Sequence, residues 1–192
     1  MRGIRHRHLV AVVLVVAGIV GPARAAIFDL HNLGTPTSVK NITVDGITLS
    51  LEGTGFGDLT STASRFGIDG AGGADAADLF DGGNGVAEKL TFFFNPTVVV
   101  DSINISLFDG TDAGTVSIKG ALPTLALHDG ANVINQTAGF TSANTIAYTG
   151  PLTGGGTNGF SVDSITVHAT PEPSAMMAVG ALGALLLRRR GR

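Results

Sequence analysis

The chain has 192 residues, a formal net charge of −3, 28 glycines, no cysteine and no tryptophan. Lacking cysteine, it has no disulfides or thiolate metal centres, so its stability must come from an apolar core or from bound ions. Residues 26–170 carry only Lys40, Arg65, Lys89 and Lys119 against fourteen acids, a net charge near −10 that the basic ends conceal and that disfavours nucleic acid as a partner.

Arg2, Arg5 and Arg7 precede an apolar run over residues 9–20, and Gly21-Pro22-Ala23-Arg24-Ala25 follows it. A basic start, an apolar middle and a small-x-small end are the three regions of a secretory signal peptide. The expected leader is residues 1–25, with the cut between Ala25 and Ala26 and an uncleaved N-terminal anchor as the competing expectation. His6 and His8 are discarded with the leader.

Residues 26–169 suffice for one core and are too few for two comfortable domains. No stretch of this body sustains a 3.6-residue apolar period, whereas strand signals are plentiful over 42–51, 86–94, 97–107, 114–119, 132–137, 144–148 and 160–168. In the third, Ile103, Ile105 and Leu107 alternate with Ser102, Asn104 and Ser106, as one buried and one wet face require. Val98-Val99-Val100 breaks that alternation and predicts burial on both sides or a bulge. In the last, Phe160 and Val162 share one phase and Ile165 and Val167 the other, so a bulge is expected near Asp163 or Ser164. Asp-Gly recurs at Asp45, Asp69, Asp81, Asp109 and Asp129 and marks tight turns. The prediction is an all-β body, a single β-sandwich that is jelly-roll-like.

Between the first two strand signals, residues 69–85 hold Asp69, Asp75, Asp78 and Asp81 among glycines and Asn84. Ca²⁺ takes six to eight oxygens in loose geometry, so these four aspartates are calcium candidates. The spacing matches neither an EF-hand nor a glycine-rich calcium nonapeptide. A solvated acidic loop with Asp-Gly turns is the other expectation, and no cofactor is otherwise implied. Asp75 with Asp78, or Glu52 with Asp58, supply the paired carboxylates of glycoside hydrolysis, but no nucleophile elbow, Walker loop or zinc spacing accompanies them. His31, His128 and His168 are scattered. The body is thus expected to be non-catalytic, with a secreted carbohydrate-active hydrolase or a calcium-dependent carbohydrate-binding module as the alternative. For sugar stacking the candidate ring is Phe93, on condition that Phe92 and Phe94 face inward.

The chain closes with Pro171-Glu172-Pro173, an uncharged run over 174–187, and Arg188-Arg189-Arg190-Gly191-Arg192. The prolines hold Glu172 extended. Fourteen residues of helix rise about 21 Å, short of a hydrocarbon core of about 30 Å, but arginines snorkel and lengthen the usable span. Arginines remain cytoplasmic, so the body is expected across the membrane from them. The order of tripeptide, hydrophobic helix and basic end over residues 170–192 resembles the PEP-CTERM sorting signal of exported bacterial surface proteins. That resemblance implies an exosortase-type membrane protease as partner, acting at Pro171, Glu172 and Pro173, with Arg188, Arg189 and Arg190 completing the signal. It also implies an inner-membrane-anchored precursor, release to the cell surface or extracellular matrix, and exopolysaccharide as a neighbour. An uncleaved C-terminal anchor is the competing expectation.

Overall fold

Among the described residues of the computed structural model, which are 25–54, 57–69, 79–81, 86–110, 112–119, 124–134, 136, 143–150 and 159–170, every regular element is a β-strand. The leader up to residue 24, the tail from 171, and Asp75 and Asp78 lie outside them. Among the described residues no helix is long and apolar enough to cross a membrane.

Twelve strands are described: β1 Ala25–Asp29, β2 Val39–Val44, β3 Ile47–Thr54, β4 Asp58–Ser61, β5 Phe66–Asp69, β6 Lys89–Asn95, β7 Val98–Ser106, β8 Gly114–Ser117, β9 Leu125–Ala126, β10 Gly130–Val133, β11 Asn144–Tyr148 and β12 Ser161–Ala169. A four-stranded sheet has the order β1-β12-β7-β10, a six-stranded sheet β2-β3-β6-β11-β8-β9, and β4 pairs with β5 alone. All pairings are antiparallel. Residues Ala25–Ala169 form one compact unit.

The predicted strand over 42–51 is a hairpin instead. Asp45 and Gly46 have φ of 49° and 80°, the double left-handed conformation of a type I′ turn, and they fold β2 onto β3 with Val44 opposite Ile47. The strand expected over 132–137 begins earlier, at Gly130, because Asn132 turns back to cap the preceding loop: its Nδ2 donates to the carbonyls of His128 and Gly130 at 2.9 and 3.1 Å.

Both expected irregularities are present. The β12–β7 register slips between Val162 and Ser164, leaving Asp163 unpaired in the ladder, and again between Thr166 and Val167, opposite Ser102 and Val100. The first slip brings Val162 and Ile165 to the same buried face, and the second does so for Val100 and Ile103. A sequence with broken alternation thus keeps one continuous apolar face.

That face meets the inner face of the six-stranded sheet, giving the described residues a sandwich-like arrangement with a shared core. Phe28 of β1 touches Phe94 of β6 at a ring-centroid distance of 5.6 Å. At one end Phe160 stacks on Phe80 at 5.4 Å and approaches Phe108 and Tyr148 at 5.5 and 6.4 Å. Gly114 is obligatory there, because a Cβ on it would stand 2.6 Å from the Phe160 ring.

Candidate functional site

Three features of the body could carry function: the chain ends, the outer face of the larger sheet, and the polar groups at the end bearing Phe160. The ends come first because β1 and β12 are neighbours. Ala25 is paired with His168 and Ala26 with Val167, so β1, at the edge of its sheet, begins beside the end of β12. Ala26, Phe28 and Leu30 point into the core while Ala25, Ile27 and Asp29 face solvent. Alternation thus runs through the predicted cut site itself. Pro171, Glu172, Pro173, Arg188, Arg189 and Arg190 fall outside the described residues.

On the six-stranded sheet Phe92 and Phe94 are buried and Phe93 is 40% exposed, the condition set for it as a platform. Register surrounds it with hydroxyls and amides. Ser50 lies directly across from Phe93 and Asn41 across from Ser50; in the next row Thr48 lies across from Asn95 and Thr43 across from Thr48, the two threonines joined by a 3.0 Å hydroxyl contact. On the other side Thr91 lies opposite both Glu52 and Thr145, and Thr145 opposite Ser117. Lys89 and Glu52 are the charges on β3 and β6 of this face. Tyr148, the chain's one tyrosine, is buried and cannot serve as a second platform.

The bulge at Asp163 gathers polar partners that the sequence reading did not foresee. Ser106 Oγ donates to Asp163 Oδ1 at 2.7 Å, Ser161 Oγ approaches the same oxygen at 3.3 Å, and Asn104 Nδ2 donates to Oδ2 at 3.3 Å. His31 bridges two carboxylates, its Nδ1 3.0 Å from Asp29 and its Nε2 3.4 Å from Asp163. The second bulge repeats the pattern: His168 Nδ1 lies 2.8 and 3.0 Å from the two oxygens of Asp101. Neither arrangement is a hydrolytic triad, because the serines bond the carboxylate and not the imidazole. Only the broken alternation around Asp163 hinted at this cluster.

The two calcium candidates inside the described residues, Asp69 and Asp81, differ in burial. Asp69 ends β5, opposite Asp58, and is exposed. Asp81 is buried beside Glu88, whose Oε2 accepts from the Asp81 N–H at 3.0 Å. Among the described residues no group of three or more His, Asp and Glu is arranged to hold a metal. Glu52 and Asp58 are both exposed, on β3 and β4.

Asp112 occupies an uneasy position in the loop after β7. Its Oδ2 accepts from the Asp109 N–H at 2.8 Å, while Oδ1 is buried with no hydrogen-bond partner among the described residues. Burial first, and the Asp109 charge after it, raise its pKa above the ordinary 3.8, against the lowering effect of the backbone bond. The Tyr148 hydroxyl is likewise raised above 10.0 by burial and then by Asp112, Asp81 and Asp109. A shallow surface depression lies elsewhere, lined by residues including Leu33, Thr37, Lys40, Leu59 and Phe66, with no interior room for a water-sized molecule.

No family model, curated protein or solved structure matches the chain.

Proposed function

We propose that the protein is an exported bacterial surface or extracellular-matrix protein. It has a leader over residues 1–25, a body over 26–169 and a PEP-CTERM sorting signal over 170–192 that an exosortase-type protease cuts after transit through the inner membrane. The observation that carries this reading is the pairing of β1 with β12, from Ala25 opposite His168 to Asp29 opposite Ser164. A body whose first and last strands end side by side has both sorting segments attached at one end, which suits a domain displayed from a membrane. The test is labelling of spheroplasts with a membrane-impermeant amine reagent. Exposed Lys89 and Lys119 are expected to react, and protection until the inner membrane is broken would refute the topology.

Strand order supports the finer, jelly-roll-like description of the body. Leaving out β2 to β5, the eight remaining strands form two four-stranded sheets, β1-β12-β7-β10 and β6-β11-β8-β9, joined by repeated crossing between the sheets. The β2–β3 hairpin then widens one sheet, and β4–β5 is an addition between the first and second strands of that framework.

Display implies a binding role, and the Phe93 face is the region best suited to it. An exposed ring flanked by hydroxyls and amides matches a sugar, which offers an apolar ring face and a rim of hydroxyls. The near-balance of Lys89 and Glu52 in a body near −10 favours a neutral polysaccharide over an acidic one. The body is non-catalytic in this reading. The alternative, a secreted hydrolase, requires turnover that a single Asp or Glu substitution abolishes.

A further inference from the structure

We propose that the fold times its own processing: the Ala25–Ala26 bond is cut only before β1 closes onto β12. This rests on the export reading above and adds to it a constraint on order. A processing protease needs the chain extended and free on both sides of the bond. In the folded body Ala26, Ile27, Phe28 and Asp29, on the carboxyl side of the cut, are paired with Val167, Thr166, Ile165 and Ser164. Ala26 is 1% exposed, and Phe28 and Leu30 are fully buried. The Leu30 N–H donates to the Asp163 carbonyl at 2.9 Å, fastening the strand just past its end. Reaching the bond therefore means peeling off β1 and drawing two large side chains out of the core. Cleavage of a folded chain is then limited to the fraction of molecules in that opened state.

Topology supplies the interval in which cutting is easy. In the sheet order β1-β12-β7-β10 the first strand is at the edge and its one ladder partner is the last strand. While the chain emerges amino end first, β1 has nothing to pair with until residues 161–169 have followed. The bond stays accessible for nearly the whole of export and is sealed when the body is complete.

The location of the cut also preserves the strand. Removing Ala25 deletes the single pair with His168 and leaves the four pairs from Ala26 to Asp29, together with the Phe28 and Leu30 anchors. The trimmed strand closes with its core contacts intact.

The full-length chain, synthesised in vitro with detergent, tests this when purified signal peptidase is added either during synthesis or after folding is complete. Early addition is expected to give full cleavage, and late addition cleavage slower by on the order of a hundredfold, the reciprocal of the opened fraction. Phe28→Glu, which cannot bury residue 28, is expected to be cut equally fast early and late. Ile27→Glu alters a side chain that is 60% exposed and should retain the delay. Equal early and late rates for a parent chain shown by circular dichroism to be folded would overturn the proposal. Absence of cleavage in every arm, Phe28→Glu included, would instead overturn the leader itself.

Discussion

The ring of Phe28 lies against that of Phe94, 5.6 Å away and tilted by 56°, joining the edge strand β1 to the middle of the opposite sheet. Phe28→Ala should therefore destabilise the body by about 3–5 kcal/mol, through lost transfer energy and the cavity left behind. Chemical denaturation of purified residues 26–170 measures it. A loss under about 1 kcal/mol would mean that β1 is only loosely attached.

Asp163 joins the bulge in β12 to Ser106, Ser161, Asn104 and His31. Asp163→Ala strands several of those groups in a half-buried setting, and a destabilisation of about 1–3 kcal/mol follows if their hydrogen bonds are not replaced by water. Asp163→Asn retains an acceptor and should lose less. Equal losses in the two variants would show that the charge matters more than the hydrogen bonds.

Asp112 gives a pH dependence of fixed sign. Its pKa is raised in the folded state by burial, so folding favours the protonated form; the stability it contributes is full below 3.8 and declines as pH rises through the folded value. Asp112→Asn should therefore melt higher than the parent at pH 7 and no higher at pH 3. The rise is expected to be a few degrees at most, because solvent screens a partly exposed carboxylate. An advantage that persists in acid would place its origin elsewhere.

Phe93→Ala removes an exposed ring, so stability should change by less than about 0.5 kcal/mol. Retardation of the body in gels containing neutral polysaccharide should nevertheless be lost. Binding that survives the substitution would move the recognition surface away from this face.

On the proposed topology the charges of Arg188, Arg189 and Arg190 hold the tail's end at the cytoplasmic side, and replacing the three by alanine removes them. The uncut precursor should accumulate, as an immunoblot of fractionated cells would reveal. Processing at the parental rate would contradict the proposed topology of the tail.

The legible parts of the body were those where alternation is long and side chains are segregated. Residues 144–148 are a strand as predicted, and the phase break between Val162 and Ile165 points to a bulge at Asp163 or Ser164, where the register slips at Asp163. Strands β4 and β5 leave no readable signal in the sequence. Each has four residues and no clean alternation: Leu59 and Thr60 are both buried, as are Phe66, Gly67 and Ile68. Strand β1 was missed because Ala25-Ala26 carries two messages, the small residues of a cut site and the start of an edge strand. The hairpin at Asp45-Gly46 was marked by its turn dipeptide, yet the continuous apolar run over 42–51 masked it. The candidate site was legible only at Phe93, where three consecutive rings force one to face outward. The His31–Asp163 and His168–Asp101 contacts join residues distant in sequence, and no local pattern announces them.

Mass spectrometry of the intact protein recovered from its native host tests the central claim most directly. The account predicts a mature chain beginning at Ala26 and ending near Pro171-Glu172-Pro173, recovered from the cell surface or the surrounding matrix. A cytosolic chain running from Met1 to Arg192 would contradict it.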